Sequence, residues 1–296
     1  MIARVLSAAA LGAAVTIRLG AAAPPPPTPI TIRFAAVVGE QPFACGREYP
    51  GIGTAGTTIT PLDFRLYVSE VALIDRKGKA VPVRLAEDGV WQRQGVAMLD
   101  FEDGTGACSN GSAETRLAIE GTAPAGDYAG VRFTLGIPFA LNHRNPVEQG
   151  SPFNVTSMFW VWRAGYKFLR LDVKATGPVE RLFVHLGSTG CVAADSLPAS
   201  PAVRCQNPNR SVVTIAGFDP ARDTVIADVA ALFQGSDLTA NQPKTAMGCM
   251  SAPDDADCGP LFDRLGLAFG ERTSGGQQFF RIGRGGAVGA SGGGAR

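Results

Sequence analysis

The segment DFRLYVSEVALI, residues 63–74, decides the fold class. From Asp63 to Ser69 its polar and apolar residues alternate, which puts the apolar side chains on one face of an extended strand. The same alternation recurs along the chain between turn-forming Gly, Pro, Asn and Asp residues. The other segments with this pattern are ITIRFAAVV (30–38), YAGVRFTLGI (128–137), YKFLRLDV (166–173), ERLFVHLG (180–187), SVVTIAGFD (211–219) and TVIADVAAL (224–232).

Helical spacing of apolar residues is rare in this sequence. Only Val225–Phe233 and Pro260–Leu267 show it, and both segments are short. The sequence therefore predicts an all-β protein, an antiparallel β-sandwich or barrel with long loops. The formal net charge of +1 gives no electrostatic argument for binding nucleic acid.

The N-terminus has the pattern of a secretory signal peptide. Arg4 makes a short positive region, Val5–Ile17 is an apolar run too short to span a bilayer, and Ala21–Ala23 supply small residues for cleavage. We expect residues 1–23 to be the signal and residues 24–29 to be a Pro-rich linker. The mature protein is then periplasmic or secreted and has no membrane span.

The rest of the chain divides into one domain and a tail. Residues 30–270 are expected to form a single β domain. Residues 271–296 are Gly-rich and are predicted to be mostly disordered, and only QQFFRI (277–282) among them has the pattern of a strand.

Six cysteines follow the signal, and an even number of cysteines in an exported chain indicates disulfides. Six cysteines allow fifteen pairings. We expect pairing between sequence neighbours, which joins Cys191 to Cys205 and Cys249 to Cys258 and leaves Cys45 for Cys108. The chain has no C-x-x-C pair, so zinc-ribbon and thioredoxin-type sites lose support. Long loops stapled by these disulfides are the expected consequence.

Histidine and tryptophan are scarce and unevenly placed. The chain has three tryptophans, and two of them, Trp160 and Trp162, lie in MFWVWRAGYKF (158–168). Its two histidines flank that segment, His143 before it and His185 after it. If residues 158–162 form a strand, both indoles share a face with Met158, and filling the core is their plainest role.

Each histidine also has an ordinary explanation. His185 lies in an apolar strand, which favours a core histidine with satisfied hydrogen bonds. His143 lies between Asn142 and Arg144, which favours an exposed loop residue. Together two imidazoles can begin a copper(II) or zinc site, but carboxylate, carbonyl, water or other ligands must complete it.

Several segments give the chain a more specific likeness. It resembles the MbnP-like family of exported copper proteins, also called metallo-mystery-pair proteins with a four-Cys motif. The segments that match run in order and cover most of the mature chain. They are QPFACGREYPGIG (41–53), PLDFRLYVSEVALID (61–75), VAMLDFEDGTGAC (96–108), YAGVRFTLGIPFALNH (128–143), MFWVWRAGYKFLRLD (158–172), HLGSTGC (185–191), CQNPNR (205–210) and GCMS (248–251).

The resemblance implies a partner and a chemical modification. Members of the family are encoded beside a MauG-like di-haem cytochrome c peroxidase family protein, which in characterised relatives oxidises a tryptophan to kynurenine. The modified residue and histidines then bind copper. Opening the pyrrole ring exposes an aryl amine and carbonyl groups, which are N and O donors suited to copper(II).

Carried onto this chain, the resemblance implies an exported copper-binding protein that serves copper acquisition or handling. It would be the substrate of the di-haem oxidase and not itself an enzyme. The ligands would be His143, His185 and a modified Trp160 or Trp162, with Trp91 in DGVWQRQG as a third candidate for modification.

Two other functions stay open at this point. A non-metal binding module or a structural β-sandwich would use the same aromatic residues for packing or for stacking on a ligand. A copper oxidase would need an open coordination position, and the lack of a richer acid–base set of residues argues against it.

Overall fold

The computed structural model describes residues 26–109, 111–161, 164–195 and 200–284. The predicted signal peptide, Trp162 and the last part of the predicted tail lie outside these residues. Within them no helix is both long enough and apolar enough to cross a bilayer.

Across the described residues the chain is built mainly of strands, with a few short helices. The strands are β1 (Pro27–Val38), β2 (Gln41–Pro42), β3 (Tyr49–Ile52), β4 (Thr57–Asp75), β5 (Ala80–Pro82), β6 (Arg84–Leu85), β7 (Gln92–Arg93), β8 (Val96–Asp100), β9 (Ala118–Pro124), β10 (Tyr128–Leu135), β11 (Leu169–Ala175), β12 (Arg181–Leu186), β13 (Thr189–Ala193), β14 (Ala202–Asn207), β15 (Ser211–Ala216), β16 (Thr224–Asp228), β17 (Gly248–Cys249) and β18 (Phe280–Gly283). The helices are α1 (Phe139–Asn142), α2 (Pro146–Gln149), α3 (Val229–Phe233) and α4 (Cys258–Arg264), with a 3₁₀ turn at Thr156–Met158.

These strands form an all-β sandwich, so of the two architectures that the sequence leaves open the sandwich is the one observed. In the described part of the chain, one sheet has six strands in the order β18–β16–β1–β9–β6, with β2 beside β1. The other sheet has ten strands. Six of them follow the order β15–β10–β4–β11–β12–β17, while β3, β5 and β8 also pair with β4, and β7 pairs with β8. A separate hairpin joins β13 and β14.

Pairing between strands is mostly antiparallel, as the sequence predicts, but β1–β16 and β12–β17 are parallel. Parallel neighbours need a long connection, because the chain must return to the same end of the sheet. Both pairs join segments that are far apart in sequence, which is why local alternation gives no sign of them.

Strand β4 is the centre of the larger sheet and is buried on both faces. Phe64, Leu66 and Val68, on the face between the sheets, are completely buried. Tyr67 points the other way and is equally buried, because the segment between β10 and β11 covers it. Its hydroxyl donates to the carbonyl of Pro152 at 2.7 Å, and its ring lies 5.9 Å from that of Tyr166. The ten-stranded sheet therefore has an inner face in the core and an outer face under residues 136–168.

Two strand predictions need correction. TVIADVAAL ends as a helix, because the Asp228 side chain accepts hydrogen bonds from the backbone N–H groups of Ala230 and Ala231 and caps α3. Residues 158–161 are not a strand, because Met158 ends a 3₁₀ turn and Phe159 forms only an isolated bridge with Tyr166. Trp162, the other end of the predicted strand, lies outside the described residues.

The β domain extends beyond the predicted residues 30–270 at both ends. Strand β1 begins at Pro27, inside the predicted linker, and β18 pairs with β16 well inside the predicted tail. Phe279 and Phe280 are buried in the core at 0% and 3% exposure. Strand β18 overlaps QQFFRI (277–282), the segment of the tail in which the sequence shows the pattern of a strand.

The disulfides join the pairs that neighbour pairing predicts: Cys45–Cys108, Cys191–Cys205 and Cys249–Cys258. Cys191 and Cys205 are direct cross-strand partners in the β13–β14 hairpin.

The position of β18 gives a truncation test. A chain that ends at Arg284 keeps Phe279 and Phe280, whereas a chain that ends at Gly270 loses both. Since truncating one buried phenylalanine costs about 3–5 kcal/mol, we expect the shorter chain to lose at least about 3 kcal/mol of unfolding free energy. The longer one should match the full mature chain. Urea unfolding followed by circular dichroism measures this, and equal stability of the two truncated chains would contradict the corrected boundary.

Candidate metal centre

The outer face of the ten-stranded sheet carries a row of charged side chains across three strands. Arg170 on β11 is the cross-strand partner of Arg65 on β4 and of His185 on β12. Asp172 lies opposite Asp63 in the next row. Because side chains alternate along a strand, these five residues share the outer face.

Ion pairs hold this row together. Arg65 donates from Nε to Oδ1 of Asp63 at 2.9 Å and forms a second bond from Nη2 to Oδ2. The Nε of Arg170 lies 3.2 Å from Oδ2 of Asp63, and its Nη2 donates to Oδ2 of Asp172 at 2.7 Å. Asp63, Arg65 and Asp172 are at most 4% exposed, so each buried charge depends on its opposite neighbour.

His185 is attached to the end of this row through Asp172. Its Nε2 lies 2.7 Å from Oδ1 of Asp172. Burial opposes ionisation of Asp172, but the hydrogen bond from His185 and the guanidinium of Arg170 outweigh it and lower the pKa of this carboxyl. Burial also lowers the pKa of His185, against the opposing effect of Asp172. The pair is therefore a carboxylate and a neutral imidazole.

The hydrogen bond to Asp172 fixes the tautomer of His185. Since the carboxylate can only accept, Nε2 carries the proton and Nδ1 carries the lone pair. Nδ1 is buried, and among the described residues it has no hydrogen-bond partner. Metal-binding histidines characteristically donate one ring N–H to a carboxylate and use the other nitrogen as ligand.

Trp160 lies beside His185, with the ring centroids 6.5 Å apart. A tight turn holds it: its backbone N–H donates to the carbonyl of Gly165, and the N–H of Gly165 donates to Val161. A Cβ at residue 187 would lie 2.4 Å from the indole, so the close approach of β12 requires Gly187. Trp160 is half-buried and lines a cavity of about 290 Å³ with Ser188, Cys191 and Met250 among its neighbours.

His143 follows helix α1 and is only 5% exposed, so the expectation of an exposed loop residue is wrong. The ring packs 4.7 Å from that of Phe139. Oδ1 of Asn142 accepts the backbone N–H of Tyr166 at 2.9 Å, which turns Nδ2 of Asn142 toward Nε2 of His143 at 3.2 Å. Nε2 therefore carries the lone pair, and it lies 3.3 Å from Sγ of Cys205.

The predicted site residues thus fall into three places. His185 and Trp160 lie together at one cavity. His143 lies against the Cys191–Cys205 disulfide, whose other half, Cys191, lines the cavity of Trp160. Trp91 lines a separate cavity of about 600 Å³ with Arg65 and Asp100. Trp162 lies outside the described residues.

Comparison with known proteins identifies the family. The family model MbnP matches residues 27–251. The chain belongs to the MbnP family. The solved structure of MbnP from Methylosinus trichosporium is similar, with 30% sequence identity and a TM-score of 0.77 over 88% of this chain and 99% of that chain. No curated protein matches.

Three residues of the site in this MbnP-family chain were not predicted from the sequence: Asn142, Arg170 and Asp172. The signal for the last two was present in YKFLRLDV, where Arg170 and Asp172 alternate with apolar residues and so share a face. Their pairing with His185 was not visible, because it depends on the register of β11 against β12. Asn142 gave no signal at all beyond its position next to His143.

The lowered pKa of His185 predicts a pH dependence. Between the folded pKa and the ordinary value of about 6.5, the unfolded chain binds a proton that the folded chain excludes, so stability falls as the pH drops through this window. His185→Gln keeps an N–H donor for Asp172 and removes the titration, so its stability should fall less on acidification. NMR titration of the imidazole resonances checks this, since the variant assigns the peak of His185. A His185 signal that titrates above pH 6.5 would contradict the prediction.

Proposed function

We propose that this protein is an exported copper-binding protein that serves copper acquisition or handling. Its donors are His185, His143 and a tryptophan, Trp160, that a MauG-like di-haem cytochrome c peroxidase family protein converts to kynurenine. The chain is then a substrate of that oxidase and not itself an enzyme. One observation carries the proposal: the buried Nδ1 of His185 has no hydrogen-bond partner among the described residues.

That nitrogen fits a metal better than it fits a structural role. A buried acceptor without a hydrogen bond costs stability, roughly 1–3 kcal/mol, and a bound water or metal ion is the usual way in which such an atom is satisfied. Asp172 holds the ring, and Arg170 holds Asp172, so the lone pair has a fixed direction. Imidazole is a ligand suited to copper, and the carboxylate raises its basicity.

Trp160 is the tryptophan best placed for modification. Its ring is next to His185, and it is half-buried at a cavity that gives an oxidised side chain access to solvent. Ring opening supplies an amine and carbonyl oxygens as donors beside the imidazole. Trp162, two residues away in sequence, remains the alternative. Trp91 is disfavoured because it lines a different cavity.

His143 is proposed as the second imidazole. It is buried, its Nε2 carries a lone pair, and the disulfide that it contacts also lines the cavity of Trp160. Export to the periplasm or beyond is supported by the N-terminal signal pattern and by the three disulfides among the described residues, which persist in oxidising compartments.

Oxidation by the partner has a defined product. Incubated with the di-haem protein and peroxide, the mature chain should exchange one tryptophan carbon for one oxygen. Intact mass measures the exchange, and peptide mapping should place it on Trp160. Trp160→Phe should abolish the change while Trp91→Phe leaves it intact. Three unmodified tryptophans after this treatment would overturn the proposal, and a change confined to Trp162 would reassign the residue.

Copper affinity tests the histidine assignment separately. His185→Gln should lose most of the copper(II) affinity of the modified protein. Asp172→Asn should lose about 10- to 100-fold, the effect typical of a residue that orients a metal ligand. Titration with copper(II) against a chromogenic competitor measures this, with Trp91→Phe as the control. Unchanged affinity in both variants would favour a binding or structural β-sandwich that does not use copper.

A further inference from the structure

A second group of potential metal ligands lies at the β13–β14 hairpin. Nε2 of His143 and the sulfur atoms of Cys191 and Cys205 all lie within 4.8 Å of one another. In the oxidised chain the two sulfurs are bonded to each other. Since the thiolate is the form of cysteine that binds metals, this group can act as a site only after reduction.

The disulfide of this hairpin is the one most accessible to a reductant. Both Cys191 and Cys205 are partly exposed, whereas Cys249 and Cys258 are both buried and the third disulfide joins a partly exposed Cys45 to a buried Cys108. The hairpin forms its own two-stranded sheet beside the two large ones. We therefore expect the strand pairing within the two large sheets to persist when this bond opens.

The third ligand of the group is already in position. His143 is buried, and the amide of Asn142 fixes its lone pair on Nε2, the nitrogen that faces Sγ of Cys205 at 3.3 Å. A nitrogen donor already placed next to two cysteines lowers the cost of assembling a site, although the metal must displace the amide of Asn142 from Nε2.

The other cluster of this kind in the described residues lacks these properties. It consists of Cys45, Cys108 and Glu102. Cys108 is fully buried, and both carboxylate oxygens of Glu102 already accept hydrogen bonds, from the backbone N–H groups of Gly104 and Ser112.

We propose that reduction of the Cys191–Cys205 disulfide creates a Cys₂His site for copper(I), with His143 as the nitrogen ligand. A dithiol supplies two electrons and two protons: its own disulfide forms, the Cys191–Cys205 bond breaks, and two thiols result. On metal binding both thiol protons pass to solvent and the thiolates coordinate the ion. Thiolates are soft ligands that suit copper(I).

The site differs from the copper centre of the proposed function in its ligands, and it does not require His185 or a modified tryptophan. His143 belongs to both sets of ligands, so the two sites cannot be complete at the same time. Reduction of the hairpin then moves His143 from the first set of ligands to the second.

The test uses the full mature chain, reduced with dithiothreitol and desalted under argon. Thiol labelling and peptide mapping should show Cys191 and Cys205 reduced while the other two disulfides persist. Titration with copper(I) against a chromogenic competitor should then show one site that the oxidised chain lacks. Cys191→Ser/Cys205→Ser should remove it, and His143→Gln should weaken it by more than about tenfold.

His185→Gln is the matched control and should bind copper(I) like the unaltered chain after reduction, although it loses copper(II). Circular dichroism checks that each variant is folded. A reduced chain that binds no more copper(I) than the oxidised chain would overturn the proposal. So would His143→Gln binding as tightly as the unaltered chain, which would assign any copper(I) to the thiolates alone. Neither result touches the copper(II) measurements on His185 and Asp172.

Discussion

Charge buried on the outer face of the central sheet is the constraint on which this structure depends. Asp63, Arg65, Arg170 and Asp172 lie between the sheet and the segment that covers it, and removing one partner from a buried ion pair costs about 3–5 kcal/mol. A slip of β11 by one residue would turn Arg170 and Asp172 into the hydrophobic core, where Leu169 and Leu171 now lie. Both faces of the strand therefore enforce the same register, and that register places His185 beside Asp172.

The covering segment links this constraint to the candidate site. The side chains of Lys167 and Arg170 both donate to the carbonyl of Ser157, which ties the segment to the charged row. The same segment carries Trp160, whose turn closes at Gly165. Covering the buried charges and presenting an indole to His185 are thus two results of one chain path. A site built in this way is rigid where the carboxylate and imidazole meet and more open where the indole meets the cavity.

The strands and the disulfides could be predicted from the sequence, but the burial of polar side chains could not. Alternation in DFRLYVSEVALI correctly put Phe64 and Leu66 in the core, yet the same pattern implies that Asp63 and Arg65 face solvent. They are buried because residues far along the chain fold over them, and alternation within one strand holds no information about such a cover. His143 was misjudged for the same reason. Its polar neighbours predict exposure. The side chain of Asn142, however, accepts a hydrogen bond from the backbone of Tyr166 and donates one to the ring of His143.

The hydrogen bonds of the two histidines differ, and this difference ranks them as metal ligands. His185 presents Nδ1, and its other nitrogen is held by a carboxylate, which makes the lone pair more basic. Among the residues that the structure describes, no donor competes for that lone pair. His143 presents Nε2, but the amide N–H of Asn142 already donates to that lone pair, so a metal must displace it. Displacing a hydrogen bond costs about 1 kcal/mol, a small amount against a metal–nitrogen bond but enough to rank two otherwise similar ligands. His185 is then the first imidazole to bind the metal. His143 binds only where the neighbouring cysteines or the tryptophan supply the remaining donors.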